Sequence, residues 1–82
     1  MIDGMVLSFP CIKVNNDLDI LESNHAFKTW VGEDKEVKNV LELSNDYDVL
    51  KHNQRLFIND KFYDVYTNAV NSCFYLEFII GL

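Results

Sequence analysis

The side chains that could do chemistry in this chain of 82 residues are few and dispersed. Cys11 and Cys73 are too few for a disulfide framework and lack the close spacing of a zinc site. Neither has a histidine near it in sequence, as a Cys-His nucleophile would require if it were built locally. Ser8, Ser23, Ser44 and Ser72 stand in no Gly-x-Ser-x-Gly context. Asp17, Asp19, Glu22, Asp46, Asp48 and Asp64 form no Asp-x-Asp-x-Asp-Gly run closed by a glutamate, so they read as turn and cap residues, not as a calcium loop. Glu33, Asp34 and Glu36 fit the acidic first turn of a helix. With no catalytic or metal signature, the sequence points to a binding or sensing module and away from an enzyme.

Composition agrees with that direction. Thirteen acidic against seven basic side chains give a net charge of -6, and Lys13, Lys28, Lys35, Lys38, Lys51, Arg55 and Lys61 are scattered along the chain. A nucleic-acid backbone would be repelled, so no such partner is expected. Hydrophobic residues make up 49% and charged residues 24%, the make-up of one folded domain spanning 1–82 with its core at about 9–80. Asp3 precedes the apolar stretch from Met5 to Ile12, which argues against a signal peptide. The apolar end, Cys73 to Leu82, is broken by Glu77 and is about half the ~20 residues that cross a bilayer, so it reads as a buried strand and not a membrane insertion. A reduced, cytoplasmic protein is expected.

The elements that would position a site follow from local pattern. Cys11 to Val14 and Leu18 to Glu22 flank the turn cluster Asn15-Asn16-Asp17 and predict an opening hairpin. Asn24 is placed to cap a short helix, accepting from the Phe27 amide, with Ala26, Phe27, Trp30 and Val31 on one face and Gly32 ending it. A second short helix is predicted from Glu33-Asp34 with Val37, Val40 and Leu41, and a third from Ser44-Asn45-Asp46 with Tyr47, Val49 and Leu50, running to about Gln54. Leu56 to Ile58, Lys61 to Val70 and Cys73 to Ile80 then predict three strands. Period two puts Phe74, Leu76, Phe78 and Ile80 on the core face of the last strand, and the odd positions Tyr63, Val65 and Ala69 inward in the strand before. The expected fold class is α+β, in two layers: a five-stranded antiparallel sheet with short helices on one face, in the order ββαααβββ.

That order resembles the PAS domain family. The segment CIKVNNDLDILESNHAF, Cys11 to Phe27, is similar to the family's opening, with Asn24, Ala26 and Phe27 in the places of an Asn, a small residue and an aromatic, and RLFINDKFYDVYTNAVNSCFYLEFII looks like its three closing strands. The compact middle is similar to the small degenerate PAS modules of bacterial signalling proteins. The resemblance implies a PAS-like fold with the first strand between the second and the fifth, and the fifth beside the fourth. It also implies a sensory or regulatory module that binds a small ligand or relays conformational change to an output domain in the same or a larger chain. A ligand-free dimerisation module and a small adaptor of unrelated family are the alternatives.

On this reading Phe27, Trp30, Tyr47, Leu50, Tyr63 and Phe74 either line a small apolar ligand pocket between helices and sheet or fill the core of a small domain. Tyr66, Cys73, Tyr75 and Ile79 fall on the opposite face of the sheet and are the expected homodimer surface. No cofactor is expected. Flavin-binding relatives use a helical cysteine, and no predicted helix here carries one. For haem the ligand would be His52, at the flank of the predicted third helix, while His25 reads as a surface residue.

Overall fold

The computed structural model describes residues 9–32 and 34–81. Five strands form one antiparallel sheet: β1 (Cys11–Val14), β2 (Ile20–Ser23), β3 (Asn53–Ile58), β4 (Lys61–Val70) and β5 (Cys73–Ile80), in spatial order β2-β1-β5-β4-β3. β1 lies between β2 and β5, and β5 beside β4, the order that the resemblance implied. Among the described residues the helical content is one seven-residue helix, α1 (His25–Val31), and a single 3-10 turn at Val40–Glu42.

The expectation of a PAS-like α+β domain with three helices on the sheet is therefore corrected: this is a small β-rich fold with one short helix. Glu33, at the start of the expected second helix, lies outside the described residues. The reason for the correction lies in side-chain bonds that compete with helical ones. Asn39 donates to the Asp17 carbonyl and the Asp19 carboxylate (2.9 Å each), which clips the chain beside the start of β2. There Ile20 N–H meets the Lys38 carbonyl and Val40 N–H meets the Leu18 carbonyl, an extended bridge and not a helical turn.

The expected third helix is replaced by turns. Asp46 N–H donates to Ser44 Oγ, Leu50 N–H to Asp48 Oδ1, and Gln54 closes the loop by accepting from Asp48 N–H and donating to the Asp48 carbonyl. Gln54 itself belongs to β3, which begins at Asn53 and not at Leu56. β2 is displaced similarly, because Asn15 Oδ1 accepts from the amides of Asp17 and Asp19 and holds the loop to that point.

The α1 reading holds. Asn24 Oδ1 accepts from Phe27 N–H at 2.9 Å, and Gly32, at φ +100°, returns its N–H to the Lys28 carbonyl. The core is the sheet face under α1 and the 40–47 segment: Ile12, Val14, Leu56, Ile58, Tyr63, Val65, Leu76 and Phe78, roofed by Phe27, Val40 and Tyr47. Inward odd positions in β4 are confirmed at Tyr63 and Val65, whereas Ala69 is corrected to exposed near the strand's end. In β5 the core face is confirmed at Leu76 and Phe78, Phe74 is half-buried, and Ile80 is corrected to 51% exposed at the strand's end.

Candidate functional site

The six residues proposed for a pocket separate into groups. Phe27 and Trp30, three apart on α1, meet edge-to-face at 5.7 Å, and Trp30 reaches across to Tyr63 (4.9 Å) and Phe78 (5.2 Å). Trp30 Nε1 donates to Tyr63 Oη at 2.9 Å, so the indole is held by both inclined ring contacts and a hydrogen bond. Tyr47 stands apart from this cluster, buried, with its hydroxyl 2.8 Å from Thr67 Oγ1. Burial above all, and then the Asp48 carboxylate, push the Tyr47 phenol upward, while the Thr67 hydrogen bond opposes them. Phe74 packs at the margin of the core. Leu50 is corrected outright: it is 89% exposed on the 48–51 turn and fills no gap beneath a helix.

Beside Trp30 lies an open groove of about 700 Å³. One wall is α1, through Ala26, Thr29 and Trp30, with His25 at the rim. The floor is Tyr63 and Phe78, and the far side is formed by Phe9 and Pro10 with Ile79 and Ile80 from the end of β5. Among the described residues no lysine, arginine, aspartate or glutamate lines it. Polar capacity is confined to the rim, where Thr29 Oγ1 and His25 Nε2 stand 3.5 Å apart, and to the Trp30–Tyr63 pair. Such a groove can take a neutral, mostly apolar body and give it one or two hydrogen bonds. A smaller cavity of about 410 Å³ on the other side of α1 mixes Lys28 and Lys35 with Glu36 and presents no consistent charge.

Of the six residues, sequence reasoning brings Trp30 and Tyr63 to this groove, through helical spacing and strand alternation, whereas Phe27 packs against Trp30 and lines the smaller cavity. It misses Phe9 and Pro10, which carry no periodic signal; Ile80, which alternation sets on the core face of β5, lines the far side beside them. The N-terminal wall is nevertheless fixed by Asn24, whose Nδ2 donates to the Phe9 carbonyl at 2.9 Å while its Oδ1 also accepts from Cys11 N–H.

His52 is on no helix. It precedes β3, exposed, with Nδ1 2.6 Å from the Thr67 carbonyl, which can only accept, so Nδ1 carries the proton. Its ring stands edge-on to Tyr66 at 6.4 Å, on a different part of the sheet from the groove. His25 is exposed. Among the described residues no group of three metal-ligating side chains comes together, and no helix is long and apolar enough to cross a membrane.

On the outer face of the sheet Tyr66, Cys73, Tyr75 and Ile79 are each half-buried and spread over β4 and β5. Arg55–Asp64 (3.2 Å) and Lys13–Glu22 (3.7 Å) flank them as ion pairs, each joining an exposed to a half-buried side chain. Phe57 and Phe62 add an exposed ring pair at 5.0 Å that the sequence reading did not include. Cys11 and Cys73 are free thiols. In comparisons with family models, curated proteins and solved structures, nothing matches this chain.

Proposed function

We propose that this chain is a sensory or regulatory binding module of a signalling protein, which takes a small, neutral, largely apolar ligand in the groove beside Trp30. The observation that carries the reading is that groove: about 700 Å³, lined by no charged side chain among the described residues, and walled on one side by α1 through Ala26, Thr29 and Trp30. Filling it bears directly on α1, so occupancy is coupled to the position of the one helix and, through it, to an output domain in the same or a larger chain. The PAS resemblance enters through the residues of the opening segment, Asn24, Ala26 and Phe27, and through the strand order; the helical layer that it also implied forms no part of the proposal.

The test is titration with a neutral environment-sensitive dye such as Nile red, with Trp30 emission as a second signal. Saturable one-to-one binding, weakened at least tenfold by Ile80→Glu at the exposed rim while the far-ultraviolet spectrum stays unchanged, is the expected result. No saturable binding, together with a native mass spectrum of the purified protein free of adducts, would remove the reading.

The outer face supports a second one, self-association. Half-buried Tyr66, Tyr75 and Ile79 together with the exposed Phe57–Phe62 pair make a patch that a second copy can cover. Sedimentation should show a weak dimer that Tyr75→Glu dissociates. A strict monomer at high concentration would exclude it.

A further inference from the structure

The two edges of the sheet are unlike. At the β2 edge, Ile20 N–H and the Leu18 carbonyl are already satisfied by Lys38 and Val40 (2.8 and 3.0 Å). The β3 edge has no such cover. Thr67 N–H donates to the His52 carbonyl at 2.8 Å in the same register as Asn53↔Tyr66 and Arg55↔Asp64. In an antiparallel ladder of that phase, Gln54, Leu56 and Ile58 turn their backbone groups toward β4, and Asn53, Arg55 and Phe57 turn theirs outward. Among the described residues those outward N–H and C=O groups meet no protein partner.

Charge is segregated in the same way. Residues 51–61 carry Lys51, Arg55 and Lys61 against Asp60, a net +2, which leaves -8 for the rest of a chain whose total is -6. Lys51, Arg55 and Lys61 are exposed. Arg55, at the middle of β3, shares its charge with Asp64 of β4 at 3.2 Å, so a second copy approaching edge to edge would set the Lys51 and Lys61 ammonium groups of the two copies against each other. The geometry points to a different occupant: an extended acidic segment of another protein, added to the sheet along β3. Its carboxylates would lie on the outer face, where they share Arg55 with Asp64, and its alternate apolar side chains would continue the row of Leu56 and Ile58. Backbone pairing supplies the attachment, and Lys51, Arg55 and Lys61 select the sign of the partner.

The probe is a fluorescein-labelled eight-residue peptide alternating Val and Glu, compared with one alternating Val and Lys, each titrated against the full chain and read by anisotropy. The Val-Glu peptide is expected to bind, and to bind more weakly at 500 mM than at 50 mM NaCl; the Val-Lys peptide is not. Phe57→Pro removes one outward N–H and leaves the β4 ladder intact, an edge position that tolerates proline. It should weaken binding about five- to tenfold, the net worth of roughly one hydrogen bond, whereas Phe57→Ala keeps the N–H and should stay within about twofold. Should Phe57→Pro fail to fold, the doubly exposed variant Lys51→Glu with Lys61→Glu provides the decision by abolishing binding. Slowed amide exchange at Asn53, Arg55 and Phe57 in the complex locates the peptide. Equal binding of both peptides, indifference of a folded Phe57→Pro or of the charge reversal, or protection elsewhere would each overturn the inference.

Discussion

The amide of Asn24 joins three segments that nothing in their own sequences would bring together. It is buried, its Oδ1 accepts from Cys11 N–H and Phe27 N–H, and its Nδ2 donates to the Phe9 carbonyl. Asn24→Ala removes a helix cap and strands the buried amide of Cys11, so urea unfolding should show a loss of about 2–3 kcal/mol. Asn24→Asp keeps both acceptor bonds and should recover part of it. Cys11, beside it, is wholly buried, and that burial, followed by the Glu77 carboxylate, pushes its thiol from 9.0 to about 11. A thiol raised in the folded state contributes its stability in full below pH 9 and loses it as pH rises through 11, roughly 2–3 kcal/mol in all. The raised Tyr47 phenol acts in the same direction. Stability measured at pH 8 and pH 10.5 should therefore fall, and Cys11→Val should flatten the thiol's share; an unchanged pH dependence in that variant would place the loss elsewhere. In native protein at pH 8 a thiol reagent should modify half-buried Cys73 and spare Cys11 until the chain unfolds.

At the scale of elements, the chain was legible where a repeated pattern had no local competitor. Alternation in β4 and β5 sets Tyr63, Val65, Leu76 and Phe78 inward over many residues, and Asn24 with Gly32 brackets α1. The middle failed because Val37, Val40 and Leu41, or Tyr47, Val49 and Leu50, offer three apolar residues at helical spacing and no more. That weak preference is set against Asn39, Ser44, Asp48 and Gln54, whose side chains bind the backbone directly. The groove was half legible for a related reason: a helix face and a strand face can be read, but the approach of Phe9 and Pro10 to the end of β5 cannot. The hairpin turns show the same tension between sequence and geometry. Asn59-Asp60 and Asn71-Ser72 have φ of 53° and 66°, and 48° and 66°, left-handed values at both central positions of each two-residue loop. That is the signature of a type I′ turn, whose second position favours glycine. Ser72→Gly relieves the side-chain penalty at a cost in unfolded-state entropy, and the first exceeds the second. We expect a gain of about 0.5–1 kcal/mol in urea unfolding, with Ser72→Val losing at least as much; a destabilising Ser72→Gly would show that the serine side chain contributes something beyond its backbone.

For the molecule as a whole, opposite effects of salt can be weighed from the same structure. Among the described residues two ion pairs lie on the sheet's outer face, Lys13–Glu22 and Arg55–Asp64; each joins an exposed to a half-buried side chain and is worth about 0–1 kcal/mol before screening. Against them stands a net charge of -6 on a body of 32 × 25 × 22 Å. Screening length falls from roughly 30 Å at 0.01 M salt to about 8 Å at 0.15 M, so at low salt every carboxylate feels most of the others, and at moderate salt it feels its neighbours. The unfolded chain spreads those charges and suffers less, so self-repulsion weighs on the folded state. Screening thus removes a penalty shared by the whole surface while weakening two marginal pairs. Raising NaCl from 10 to 150 mM should increase the thermal midpoint and the urea midpoint together. The same titration on Lys51→Glu with Lys61→Glu, at net charge -10, should show a larger gain, because the repulsion to be screened has grown while both outer-face pairs are retained. A midpoint that falls with salt in the parent chain would mean that those pairs outweigh the net charge, and that the surface is more tightly organised than two such contacts imply.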